Sequence, residues 1–211
     1  MKTLLPVLAL LSALSLRTMA AGTNTEVDPL MKLATARAKV EISLRDATAV
    51  FDKTRNGYVA AETVIEKTRN QIMDILSKAK TERDEDKKFV IECERRAAQI
   101  DRKWDDASRE YDTDISPRYD AATETFDKLK NIFGKLTDLD QNWKDARLDL
   151  AALEAAFAAM DKRIADTAAQ GEKATNDLKD RQKIWGAELA AVEKFVAQPA
   201  EKDDGEKDQK K

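Results

Sequence analysis

Residues 33–79 read LATARAKVEISLRDATAVFDKTRNGYVAAETVIEKTRNQIMDILSKA, and this stretch decides the fold. Its apolar residues recur at steps of three and four, the spacing by which one stripe of an α-helix faces a partner helix. Polar residues interrupt the stripe at Arg37, Thr54 and Thr68. The stretch therefore predicts one long helix with a heptad seam. The seam positions, which begin just before the quoted stretch, are Leu30, Leu33, Val40, Leu44, Ala47, Phe51, Tyr58, Ala61, Ile65, Ile72, Ile75 and Ala79.

The start of this helix is predicted at Asp28-Pro29, because an Asp side chain caps free amides and Pro is tolerated at the first helical position. The seam fades across Lys80–Lys88, which contains the polar run Thr81–Asp86. We interpret this run as a solvated helix or as a turn with Thr81 as its cap. The apolar spacing then resumes between Phe89 and Tyr111.

The clearest break in the pattern is Ser116-Pro117. Proline disfavours helix at the residue before it, and Ser is a good cap for a following helix. The apolar stripe repeats from Tyr119 to Leu136 and slips in phase at Gly134–Asp140, where Thr137 or Asp138 is a candidate cap. A last stripe is predicted from Trp143 to Phe195, ending at Gln198-Pro199.

These elements predict an all-α fold. The favoured arrangement is a long antiparallel hairpin with arms Asp28–Ile115 and Pro117–Gln198 and its turn at Ser116-Pro117. In that register Tyr58 faces Gly171, and Trp185 lies near Ala47. The alternative is a compact four-helix bundle, in which the chain folds back at Lys80–Lys88 and Gly134–Asp140.

The composition agrees with long helices. The chain has 211 residues, of which 36% are charged and only 6% aromatic, with 6 Gly and 4 Pro. Its 37 basic and 40 acidic residues are interspersed, which is typical of solvated helix faces and does not favour a nucleic-acid partner. Histidine is absent, so the commonest general base and transition-metal ligand is missing.

Both ends of the chain differ from the helical region. Residues 1–21 have a basic start at Lys2, an apolar run from Leu4 to Leu16 and small residues at the end, the pattern of a secretory signal peptide cleaved after Ala20 or Ala21. The helical coiled-coil domain is assigned to residues 22–198. Residues 199–211 form a charged segment without large apolar side chains, which we expect to be disordered.

Two acidic segments partly match calcium loops. Residues 52–63 resemble part of a calmodulin-type EF-hand loop: Asp52, Asn56 and Gly57 fit, but Glu62 stands one position before the required bidentate Glu. The heptad seam also runs through this segment, although Asn56-Gly57 permits a helix break. Residues 138–142 match the opening spacing of the same loop and are interpreted as an acid-rich helix N-terminus. We therefore predict no metal site.

Other candidate residues are assigned to the core. Trp104, Trp143 and Trp185 fall on the seam stripes, so packing is preferred over a sugar-stacking platform. Cys93 is the only cysteine, and its place on an apolar helix face favours burial over an intermolecular disulfide. No catalytic residue, cofactor site or small-molecule substrate is predicted.

The sequence thus favours an exported, non-catalytic helical protein, periplasmic or extracellular, that acts as a scaffold, spacer or chaperone-like clamp. Its partner is expected to be another protein or a second copy, bound through helix faces. The alternative is a membrane-surface or lipid-binding helical protein, which requires a broad apolar face beside a basic one.

Overall fold

The computed structural model describes residues 28–198, and this part of the chain is 92% helical with no strand. The all-α prediction is confirmed. The predicted signal peptide and the charged segment 199–211 lie outside the described residues. The elements are α1 (Pro29–Glu82), α2 (Lys87–Glu110), a π-helical turn (Tyr111–Ile115, the π-turn below), α3 (Ser116–Gln141) and α4 (Leu150–Ala197).

The helices form a bundle of three rods. The first rod is α1, and the chain reverses after it at residues 83–86. The second rod runs back as α2, the π-turn and α3 without a break, and the chain reverses again at residues 142–149. The third rod, α4, lies parallel to α1, since Phe51 packs on Gly171 and Arg83 at the far end donates to the Gln198 carbonyl oxygen.

The predicted hairpin turn at Ser116-Pro117 is wrong, and so is the predicted antiparallel register. Ser116 has helical dihedral angles, φ −60° and ψ −49°, and Pro117 lies in the first turn of α3. Phe51, not Tyr58, contacts Gly171. Trp185 meets Trp104 instead of the neighbourhood of Ala47. The chain folds back twice, as the alternative expected, and the first reversal lies within Lys80–Lys88. The second lies at residues 142–149 and not at Gly134–Asp140. Since α2 and α3 are collinear, there are three rods where a bundle of four was considered.

The π-turn explains why the helix continues through the proline. Cys93 and Ile100 are buried seven residues apart, and so are Ile115, Ala122 and Leu129. The step from Ile100 to Ile115 is one residue longer than two heptads, and a π-turn absorbs one extra residue. Both seams therefore face the same core.

Pro117 fits directly after this wider turn. It has no N–H, so it cannot make the α-helical bond to the carbonyl four residues before it. Ser116 N–H donates to the Tyr111 carbonyl oxygen, which is the longer bond of a π-turn, and the Arg118 guanidinium donates to the Asp114 carbonyl oxygen at 3.1 Å. The sequence break at Ser116-Pro117 is therefore real, but it widens one turn of a helix and does not reverse the chain.

Each helix start is capped by an aspartate or follows directly from a helix before it. Asp28 caps α1 as predicted, accepting from Leu30 N–H at 3.1 Å. Asp86, not Thr81, caps α2, accepting from Phe89 N–H at 3.3 Å. Asp149 caps α4, accepting from Ala151 N–H at 2.9 Å.

The predicted cap at Thr137 or Asp138 is wrong, because α3 runs on to Gln141. Residues 138–142 are accordingly a helix C-terminus and not an N-terminus. Acidic residues are unfavourable at that end of a helix. Arg37 of α1 compensates Asp140 through an ion pair of 2.6 Å. The loop that follows includes Arg147 with a positive φ of 53°, a conformation that lets the chain turn into α4.

The packing of α1 on α4 includes a close approach at two glycines. Phe51 lies against Gly171, and its ring stacks on Phe126 of α3 at a centroid distance of 4.3 Å. Farther along, the Lys179 side chain crosses over Gly57. The helix break permitted by Asn56-Gly57 does not occur, since α1 is uninterrupted there; the missing side chain instead makes room for Lys179.

Ion pairs between rods fix the relative positions of the helices. Each exposed pair contributes at most about 1 kcal/mol, so they specify register more than they stabilise. Two hydrogen bonds hold the pKa of the Asp161 carboxyl below its ordinary value; the one from Lys39 has the larger effect, and the one from Ser43 the smaller. The pairs are Arg37–Asp140, Lys39–Asp161, Arg69–Asp101, Lys80–Glu94, Lys103–Glu188, Arg118–Asp177 and Arg181–Glu110.

Replacing Gly171 by Ala should destabilise the protein. A Cβ at this position would lie 3.1 Å from Phe51 Cε1, and the stacked Phe126 ring hinders the retreat of Phe51. We expect a loss of about 1–2 kcal/mol in urea unfolding. The matched control is Gly186→Ala on the same helix, which meets nothing within 4 Å and should gain up to about 1 kcal/mol from helix propensity. Equal stabilisation by both changes would contradict the close packing.

Deleting Thr113 while changing Pro117 to Ala should convert the π-turn into regular α-helix and leave both seams in place. We expect a cooperatively folded protein with near-native helix content by circular dichroism. The control deletes Thr125, which lies within α3 between Ala122 and Phe126. Whichever side of the helix rotates to close the deletion, either Ala122 or Phe126 leaves the core. That loss should cost about 2–5 kcal/mol. If the Thr113 deletion unfolds the protein and the Thr125 deletion does not, the π-turn does not absorb the extra residue.

Candidate functional site

A gap separates α2 from α4. Their Cα atoms stay more than 8 Å apart along both described helices, whereas α1 packs more closely on each of them. Aromatic rings bridge the gap: Phe89 stacks on Phe195 at 5.3 Å between centroids, and Trp104 meets Trp185 edge-on at 5.6 Å. Large rings hold helix backbones apart, so this side of the bundle leaves space that side chains do not fill.

A cleft of about 230 Å³ opens in this gap beside the π-turn. We call it the aromatic cleft. The apolar residues that line it come from three rods and are Ile65, Trp104, Ala107, Tyr111, Leu178 and Trp185. The polar residues around it are Glu62, Glu66, Ser108, Asp112 and Arg181.

The charges around the aromatic cleft are predominantly negative. Arg181 is the cation of the lining, and it forms an ion pair with Glu110. The side chains of Glu66 and Asp112 are exposed and make no hydrogen bond or ion pair within residues 28–198. Unpaired carboxylates beside aromatic walls favour a positively charged group.

Three tyrosines stack beside the cleft. Tyr58 lies 4.3 Å from Tyr119 and 6.1 Å from Tyr111, between ring centroids. The Tyr111 hydroxyl donates to Glu62 Oε1 at 3.0 Å. Burial raises the pKa of Tyr111 well above its ordinary value, and the nearby Tyr58 hydroxyl and the hydrogen bond to Glu62 raise it further. The buried Tyr58 hydroxyl has no hydrogen-bond partner of normal geometry in the described chain.

An arginine next to the cleft lies against one of its rings. The Arg69 guanidinium lies 5.4 Å from the centroid of the Trp104 ring and forms an ion pair of 2.6 Å with Asp101. Its Nε is buried without a hydrogen-bond partner in residues 28–198. The indole of Trp104 is therefore in an environment where a cation rests against it.

The three tryptophans pack as predicted but do not form one platform. Trp185 is buried, with 4% of its surface exposed, and Trp104 and Trp143 are half-buried against core residues. Trp104 and Trp185 meet at the cleft. Trp143 lies in the loop between α3 and α4, with Lys144 over its ring at 5.4 Å.

The two calcium-loop resemblances are placed on helices. Residues 52–63 belong to the uninterrupted helix α1, and residues 138–141 end α3. A straight helix does not wrap its side chains around one ion as the EF-hand loop does. Within residues 28–198 no group of three or more Cys, Asp or Glu residues is arranged to hold a metal ion.

Cys93 is buried, as predicted, with 1% of its surface exposed. Burial raises the pKa of its thiol, which lowers the fraction of reactive thiolate. The residue therefore acts as a small apolar side chain of the core that contains Ile100 and Val192.

The cleft residues Glu62, Glu66, Tyr111 and Asp112 were missed at the sequence level. Glu62 and Glu66 stand one helical turn apart beside the seam position Ile65, which places them on one face of α1. That spacing is common on solvated helices, so it carries no signal until α2 is known to lie beside it.

No helix within residues 28–198 is long and apolar enough to cross a membrane. Comparison of the chain with protein-family models, with curated proteins and with solved structures finds no significant match.

Proposed function

We propose that this chain is an exported, non-catalytic interaction or structural protein of the cell envelope, a scaffold, spacer or chaperone-like clamp. The observation that carries the proposal is the elongation of the bundle. Helix α1 alone has 54 residues, about 80 Å at ~1.5 Å per residue, against about 30 Å for the diameter of a small domain. Three long rods offer extended outer faces and little enclosed volume.

The distribution of charge supports the same proposal. Many of the charged side chains that face a neighbouring rod are committed to ion pairs that set helix register. The signal-peptide pattern of residues 1–21 supports export. Within the cell envelope, a long helical rod holds partners at a distance or presents a face to them.

The face proposed for a partner lies near the start of α4. Five alanines are exposed there and, at 100° per residue, lie within an arc of about 120° on the side opposite the buried Leu153 and Phe157. Small side chains let a second helix approach to about 8 Å. The segment Leu148–Met160 is thus the proposed docking site for a second copy or another protein. The alanines are Ala151, Ala152, Ala155, Ala158 and Ala159.

A lipid-binding role has less support. The large exposed apolar side chains Ile42, Val59, Ile91 and Ile184 are spread over α1, α2 and α4, with acidic and basic residues between them. A membrane-surface helix concentrates such residues on one broad face. Co-sedimentation of the chain with anionic vesicles, if observed, would favour the lipid-binding alternative.

Sedimentation of the chain at micromolar concentration should show a dimer or larger assembly, alone or with its partner. Changing Ala152 to Glu should reduce the association, because a charge on the alanine face blocks close approach. The melting temperature should stay within a few degrees, since Ala152 is exposed. The matched control is Ala187→Glu, at an exposed position near the other end of α4, which should leave association unchanged. A monomer that captures no partner, or equal effects of both changes, would contradict the proposed face.

Export is tested by fractionation and terminal sequencing. The exported chain should begin at Ala21 or Gly22, because small residues precede both bonds. Changing Leu8 and Leu10 to Arg should retain the protein in the cytoplasm, since it interrupts the apolar run. An exported protein that begins at Met1 would contradict cleavage.

A further inference from the structure

We propose that the aromatic cleft binds a small organic ammonium ion. This inference goes beyond the proposed scaffold role, because it assigns a ligand site inside the bundle and not on its outer faces. The site is built by residues from α1, α2, the π-turn and α4, so it exists only in the folded protein.

The shape and lining of the cleft fit such a ligand. Its volume of about 230 Å³ accommodates a tetraalkylammonium group or a short alkylamine. Trp104, Tyr111 and Trp185 supply aromatic surface, and ring faces attract organic cations. Leu178 and Ile65 complete walls that suit the alkyl part of the ligand.

The charge of the cleft selects a cation. Glu62, Glu66 and Asp112 bring three carboxylates to the lining, while its single cation, Arg181, pairs with Glu110 outside the lining. Asp101 of α2 and Glu188 of α4, in contrast, each pair with a basic residue of a neighbouring rod, Arg69 and Lys103. The exposed side chains of Glu66 and Asp112 have no such partner in residues 28–198, so both carboxylates are free to pair with a ligand cation.

An organic ammonium ion fits better than a metal ion or a neutral sugar. The described residues contain no group of carboxylates converging on one point, as a hard metal ion requires. A neutral sugar gains no charge attraction from the three carboxylates. The guanidinium of Arg69 already rests against Trp104, which indicates that cations are accommodated at these rings.

The test is a fluorescence titration of the full chain carrying Trp143→Phe, which leaves Trp104 and Trp185 as reporters. The probes are choline and its uncharged isostere 3,3-dimethylbutan-1-ol, at constant ionic strength. We expect a saturable change with choline, with a dissociation constant on the order of millimolar, and a much weaker response to the isostere. Equal responses to both, or no saturable change with choline up to about 0.1 M, would overturn the proposal.

Two double variants, each of which removes two negative charges, test where choline binds. Changing Glu62 and Glu66 to Gln keeps an acceptor for the Tyr111 hydroxyl and removes two charges, so choline should bind about tenfold more weakly. The matched control changes Glu172 and Glu193 to Gln, two exposed carboxylates of α4 that do not line the cleft, and should bind choline as before. An equal loss in both variants would show a general surface-charge effect and overturn the site.

Discussion

The parallel packing of α1 on α4 is the constraint on which the rest of the bundle depends. Two parallel neighbours cannot be joined by a short turn, since the chain must first return along the whole length of the first helix. The collinear rod of α2, the π-turn and α3 makes that return. Its length follows from that of α1, and the close contact of Phe51 with Gly171 helps to set how deeply the two parallel helices pack.

The returning rod has to face the α1–α4 pair along its entire length. A regular α-helix would carry its stripe off the core where the heptad spacing gains one residue, between Ile100 and Ile115. The π-turn restores the match, and Pro117 follows it where a missing N–H is tolerated. Beyond it, α3 packs closely on α4, while α2 packs on α1 and stands off α4. The aromatic cleft lies where the second rod, on the α2 side of the π-turn, no longer packs closely on α4. The cleft and the π-turn are therefore linked features of the fold.

The candidate site shows why binding residues are difficult to identify from a helical sequence. Heptad spacing indicated that Trp104 and Trp185 are packed, and they are, but it did not indicate that they pack against each other. The carboxylates Glu62, Glu66 and Asp112 look like ordinary surface charge along their own helices. Whether they belong to a binding site depends on residues that are distant in the chain and lie beside them in the fold. The pattern of one helix contains no information about which other helix covers which of its faces.

The sequence by itself determined the helical class, most of the seam of α1, the cap at Asp28 and the burial of Cys93, because propensity, heptad spacing and capping act over one or two turns of helix. Within that seam, Leu30 is exposed and Leu76 is buried in place of the predicted Ile75. It also marked Ser116-Pro117 as irregular. Only the tertiary structure decided that this irregularity is a π-turn and not a reversal, that α4 runs parallel to α1, and that the chain turns at residues 83–86 and 142–149. The physical reason is that a heptad stripe specifies a face to be buried but not the direction of the helix that buries it, and direction is fixed by contacts such as Phe51 with Gly171 between residues distant in the chain.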